Sequence, residues 1–162
     1  MKKHFFPFLF FILVVVPCFA QSDDEEPTGG PPTTDELIGF WKLQELPPDM
    51  NKVNPWPLPY QWFGFYENGK LYTMMNTEDE DYSVEDLKEI FSALPEEKTP
   101  NFVHQGQFLT VDQPEMQDYL ELWGVNIFYK DVGKFAKKGD LIMSLDDGNG
   151  EVIYYRLLRK IE

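Results

Sequence analysis

The chain has 162 residues, 28 of them acidic and 14 basic, with a single cysteine. That length argues for one domain, and 43% hydrophobic with 16% aromatic content is enough apolar surface for a packed core, which excludes a disordered chain. Beyond residue 20 the balance is 12 basic against 28 acidic groups, a net −16, which argues against nucleic acid and anionic lipid as partners because both demand clustered Lys and Arg.

The N-terminus reads as an export signal. Met1-Lys2-Lys3-His4 is a short positive stretch, residues 5–16 are an almost unbroken apolar run, and Pro17-Cys18-Phe19-Ala20 supplies small residues for cleavage after Ala20. The run is shorter than the roughly 20 residues that cross a bilayer as a helix. The sequence therefore predicts a signal peptide over 1–20 and an exported protein, periplasmic or at the cell surface. A lipid anchor on Cys18 is the weaker alternative, because Pro17 stands where a lipoprotein signal has a small residue. With cleavage after Ala20 no cysteine remains, and disulfides, thiolate catalysis and Cys-zinc sites fall together. Residues 21–34 read QSDDEEPTGGPPTT, without one large apolar side chain, and are expected to be a disordered acidic tether. The domain is placed at 35–162.

Within it, apolar residues recur mostly with period two, the mark of strands with one buried face. Residues 37–44 alternate so that Leu37, Gly39, Trp41 and Leu43 share a face. A proline-rich connection follows, with five prolines between Pro47 and Pro59, and it cannot be a central strand because proline donates no ladder hydrogen bond. Residues 61–67 and 70–76 are aromatic-rich strands separated by Asn68-Gly69, which predicts a type I′ hairpin turn. The one helix signal covers 83–94: Ser83 caps, Asp86 stands three residues on, Val84, Leu87, Ile90, Phe91 and Leu94 keep helical spacing, and Pro95 ends the run. Strand patterns resume at 103–111, 120–129, 141–146 and 152–159, the last two joined by Asp147-Gly148-Asn149-Gly150. Short segments within 130–138 and 53–59 bring the count to seven or eight strands. A single helix among so many strands excludes parallel βαβ units. The expected fold is mainly β, an antiparallel up-and-down barrel with one inserted α-helix, since closure removes edge strands.

The stretch Leu37-Ile38-Gly39-Phe40-Trp41-Lys42-Leu43 resembles the opening strand of bacterial lipocalin-like proteins, where a Gly-x-Trp motif begins the barrel. Phe65-Tyr66-Glu67-Asn68-Gly69-Lys70-Leu71-Tyr72 is similar to their hairpin, and Tyr155-Arg156-Leu157-Leu158-Arg159 to their closing strand. Trp123-x-x-x-Ile127 and Asp140-Leu141-x-Met143-x-Leu145 fall between them in order. The resemblance spans 36–160. It implies a barrel that holds a small apolar or amphipathic molecule, with Gly39, Trp41 and Arg159 closing the barrel rather than touching ligand. In physical terms Gly39 gives room beside the Trp41 ring, Trp41 plugs one end, and Arg159 is expected to lay its guanidinium over that indole.

The aromatic surplus on alternating positions names the candidate interior. On the first hairpin these are Trp62, Tyr66, Tyr72 and Met74; further along the chain come Phe108, Trp123, Ile127, Tyr129, Met143 and Tyr155. An eight-stranded barrel encloses either packed side chains or one small ligand, so the same residues fit a second reading: a filled barrel without enzymatic activity whose long connections, 46–60 and 78–100, bind an envelope protein. Catalysis lacks a constellation. His104 is the one histidine beyond the signal and sits in a strand-like context; no serine elbow, phosphate loop or dinucleotide fingerprint is present. No cofactor and no metal are expected. Asp146 to Glu151 lacks the ligand spacing of a calcium loop, and the acidic run Glu78-Asp79-Glu80-Asp81 reads chiefly as favourable charge at a helix N-terminus. The acidic charge predicts a monomer that needs no detergent.

Overall fold

The computed structural model describes residues 27–47, 58–114, 119–147, 149 and 151–162. The expected signal peptide, Cys18 and most of the proline-rich connection lie outside the described residues.

Nine antiparallel strands form the sheet, the short β1 (Gly29–Gly30) beside its main path and eight along it: β2 (Gly39–Gln44), β3 (Tyr60–Phe65), β4 (Leu71–Asn76), β5 (Asn101–Gln105), β6 (Phe108–Asp112), β7 (Leu120–Phe128), β8 (Leu141–Asp146) and β9 (Val152–Lys160). Along that path sequence neighbours pair throughout except β4 with β5, and β2 pairs with β9, giving the order β4-β3-β2-β9-β8-β7-β6-β5. The sheet curls into a half-barrel, so the expected mainly-β antiparallel architecture with one inserted helix is the one observed. Its two end strands meet only where Lys70 bridges Asn101. There the Leu71 N–H donates to the Pro100 carbonyl and the Phe102 N–H to the Gly69 carbonyl.

The alternating pattern sorts side chains as a curled sheet requires. Trp41, Phe63, Phe65, Leu109, Trp123, Val125, Met143 and Leu158 fill the inside and leave almost no exposed surface. The outside is covered in two places. Helix α2 (Val84–Ser92) lies across β2 to β4, where Leu87 and Phe91 pack on Phe40 and Trp62. Its N-terminus is the capping box that the sequence predicts: the Ser83 hydroxyl accepts from the Asp86 N–H, and the Asp86 carboxylate accepts from the Ser83 N–H at 2.9 Å. The helix sits close because Gly64 lies beneath it; a Cβ there would stand 2.9 Å from the Phe91 ring. The second cover is the 130–138 connection, which lays Val132, Phe135 and Ala136 over Leu157 and Tyr155. It holds a single bridge, Val132 to Ala136, and no strand.

Four local expectations are corrected. The 67–69 turn is not a two-residue type I′ loop. The Gly69 N–H donates to the Tyr66 carbonyl and the Tyr66 N–H to the Lys70 carbonyl, so a β-turn is followed by Gly69 at φ +78°, the bulged three-residue loop. The expected single strand over 103–111 is a hairpin, β5 and β6, reversed at Gly106 with φ +60°. The expected tether is ordered from Thr28 onward: β1 (Gly29–Gly30) pairs with β7 at Ile127 and Phe128, and Thr33 caps a short helix α1 (Thr34–Leu37). Composition hides β1 because it has no side chains to pack; a Cβ on Gly29 would stand 2.5 Å from the Ile127 carbonyl oxygen. Finally, Arg159 does not stack on Trp41. Trp41 faces Lys160 across the β2–β9 pair, and the Lys160 Nζ lies 5.2 Å from the indole centroid. Arg159 points to the opposite face and holds the buried Asp140 carboxylate with two bonds of 2.9 and 2.6 Å.

Candidate ligand pocket

The two ends of the half-barrel differ. At the end where β2 starts, Trp41 is buried and its Nε1 donates to the Leu37 carbonyl at 2.9 Å, so α1 and the indole seal the interior. A wider, open depression of about 590 Å³ lies at this end, lined by Trp41, Ile127, Lys137, Lys138, Arg159 and Lys160.

At the other end a cavity of about 200 Å³ enters the interior between β4 and the ends of β6 and β7. Phe63, Leu71, Met75 and Val111 give it apolar walls, and Gln61, Gln113, Glu121 and Arg156 give it polar ones. The strand connections at this end, 48–57 and 115–118, lie outside the described residues. The volume equals roughly seven waters in the liquid and falls below the roughly 300 Å³ at which drug-sized pockets begin. It accommodates one compact group.

Arg156 dominates its electrostatics. Period two on β9 puts Tyr154, Arg156 and Leu158 on the inner face, and Arg156 is only 6% exposed. Its guanidinium carbon lies 4.6 Å from the Trp123 ring centroid and 4.9 Å from that of Phe63. Ring faces thus replace part of the lost hydration. Burial nevertheless penalises the charged form and brings its pKa down to about 10, against the opposing pull of the Tyr154 hydroxyl and the Glu121 carboxylate. Burial also pushes the Tyr154 phenol up. Glu121 is held by neutral donors: Trp123 Nε1 donates to it at 2.8 Å and Gln113 Nε2 at 3.2 Å. Gln61 is buried and donates to the Leu58 carbonyl at 3.1 Å. The pocket therefore presents both charge signs, two amides and four apolar walls within one cavity.

The expected interior residues divide. Trp123, Ile127 and Met143 face inward. Trp62, Tyr66, Tyr72 and Met74 do not line the interior; they occupy the outer face under or beside α2, where Tyr82 meets Trp62 edge-on at 5.1 Å, although Met74 reaches the cavity rim. Tyr155 packs under the 130–138 connection, and Phe108 and Tyr129 are nearly half exposed. For the residues under α2 and under the 130–138 connection the reason is one: strands covered on both faces are apolar at both parities, so period two cannot say which face is inside, whereas Phe108 sits on the uncovered face of β6 and Tyr129 just past β7. The residues that sequence reasoning missed are Arg156, Gln61, Glu121 and Gln113. Arg156 carried one signal, an arginine flanked at both alternate positions by Tyr154 and Leu158 within the apolar stretch 152–158.

His104 is pinned. Its Nε2 meets the Gly106 carbonyl at 2.7 Å and its Nδ1 the Thr34 hydroxyl at 3.1 Å. A carbonyl only accepts, so Nε2 carries the proton and the ring ties the β5–β6 turn to α1. In the acidic run, Asp79 pairs with Lys42 at 2.7 Å, and the Lys42 Nζ also lies 5.5 Å from the Trp62 ring centroid. Among the described residues no group of three or more His, Cys, Asp or Glu is placed to hold a metal.

No family model, no curated protein and no solved structure matches this chain.

Proposed function

We propose that the protein is an exported, lipocalin-like binding module that takes one small amphipathic group into the cavity beside Arg156, without catalysing a reaction on it. The observation that supports this reading is the buried guanidinium at the wall of a cavity that Phe63, Leu71 and Val111 also line. A charge removed from water costs free energy unless its surroundings repay it, and an arginine kept at the wall of an inward cavity is suited to recognition. The filled interior narrows the ligand: the inward indoles of Trp41 and Trp123 leave no long apolar channel, so the ligand is compact and polar at one end. Export is supported by the N-terminal pattern of charge, apolar run and Ala20.

The test is a titration of the isotope-labelled protein with hexanoate, hexanol and hexylamine, following the Trp123 indole N–H and the Gln61 and Gln113 side-chain amides by NMR. Saturable shifts confined to these groups are expected with at least one probe, and the sign of the preferred head group reports whether Arg156 or Glu121 leads. Silence of all three probes at millimolar concentration would overturn the reading.

A further inference from the structure

The cavity is bounded on one side by a strand edge that lacks a partner among the described residues. The Tyr66–Lys70 hydrogen bond fixes which residues of β4 point at β3. Pairing alternates along an antiparallel ladder, so Tyr72, Met74 and Asn76 bond to β3, while Leu71, Thr73 and Met75 turn their N–H and C=O groups the other way. Leu71 confirms the phase, since its N–H donates outward to the Pro100 carbonyl. Beyond that bond no described strand continues along β4. Thr73 and Met75 thus offer two outward N–H and two outward C=O groups along the cavity rim. An open edge of this kind is a template for an added strand.

We propose that the group entering the cavity is a side chain of an extended, basic peptide segment that adds to β4 as an antiparallel strand. The inference rests on the pocket reading and names its partner. Three observations define that partner. The residue opposite Thr73 shares the inner face with it, so an apolar side chain there enters between Phe63 and Val111. Because Pro100 already occupies the Leu71 position, the added strand ends opposite Tyr72, and the site accepts about five residues spanning 72–76. At its far end β4 runs into Glu78, Asp79, Glu80 and Asp81, of which Asp79 is neutralised by Lys42; the N-terminal residues of an antiparallel strand arrive there, and cations suit them. The same acidity disfavours a second copy of this chain, whose net charge is −14.

The probe is the acetylated, amidated peptide Lys-Lys-Val-Thr-Phe-Thr, titrated into the full chain and read by calorimetry and by amide hydrogen exchange. Binding is expected to slow exchange at Thr73 and Met75 but not at Tyr72 and Met74, which β3 already protects. Replacing the two lysines by glutamates should weaken it roughly tenfold at low salt. Thr73→Pro removes one outward N–H and leaves the β3 bonds intact; with the unfolding midpoint of the variant checked against wild type, peptide binding should be lost. Exchange at Thr73 and Met75 needs no variant and decides the matter if Thr73→Pro fails to fold. No peptide binding at millimolar concentration, binding that leaves Thr73 and Met75 exchange unchanged, or a dimer formed through β4 each overturns the inference. Small probes that bind where the peptide does not leave the pocket reading standing without it.

Discussion

Strand β9 carries two arginines three residues apart, and they do opposite things. Arg159 points outward near the sealed end and holds the buried Asp140 with two short bonds, a closed arrangement whose partner comes from the start of β8. The Asp140 hydrogen bond raises its pKa further, so it is charged at every accessible pH. Arg156 points inward near the open end, where ring faces, a phenol and a carboxylate share its charge and burial brings its pKa down to about 10. A charge fixed by one matched carboxylate orders structure; a charge distributed over weak neighbours beside a cavity can respond to what enters. The sealed end should therefore govern stability and the open end binding.

The largest effect should follow from unsealing the closed end. Trp41→Ala removes a fully buried indole and its bond to Leu37 and is expected to cost about 3–5 kcal/mol in urea unfolding. Asp140→Asn comes next. It keeps the shape but weakens the bonds to Arg159 and to the Lys137 N–H. With Arg159 about one-third exposed, solvent repays part of the loss, and about 2 kcal/mol is expected. A loss at Trp41 no greater than that at Arg156 would break the contrast between the ends.

The cap of α2 gives a smaller and pH-dependent effect. Ser83→Ala should cost about 1 kcal/mol near neutral pH. The Ser83 hydroxyl and N–H hold the Asp86 carboxyl below its usual range. A carboxylate lowered in the folded state contributes stability above its unfolded pKa and loses it as pH falls through the folded value. The difference between wild type and Ser83→Ala should therefore shrink in acid. Thermal unfolding of both proteins from neutral pH down to below the carboxylate range checks it; a constant difference would mean that Asp86 is not the partner that matters.

How much of this was legible depends on what each element leans on. Helix α2 was readable because its cap, spacing and stop are local and agree. The strands β7, β8 and β9 were readable because turns delimit their apolar stretches. The face assignment of β3 was not, since Gln61, Phe63 and Phe65 look inward while Trp62 lies under α2, and both sets are large. The strand β1 was invisible because its energy lies in backbone bonds between two glycines and β7, which no composition signals. The pocket was missed for a related reason. Its polar residues come from β3, from the residue after β6, and from β7 and β9, far apart in sequence, and the closing of β2 on β9 brings them together.

The smallest effect on stability should come from the residue with the largest effect on binding. Arg156→Met keeps length and apolar bulk, removes the desolvation cost of a buried charge and forfeits its ring contacts. Exchanges of buried charge for a matched apolar side chain are often neutral or stabilising, and Glu121 keeps its bonds to Trp123 and Gln113. Unfolding free energy within about 1 kcal/mol of wild type is expected. The pH dependence carries the sign. The folded pKa lies below the unfolded one, so the unfolded chain binds more protons between them and wild type gains stability relative to Arg156→Met as pH rises through about 10. In the same variant any preference of the pocket for hexanoate over hexanol should vanish. A variant several kcal/mol less stable that still prefers the anion would show that Arg156 seals the barrel and that the opening beside it serves no ligand.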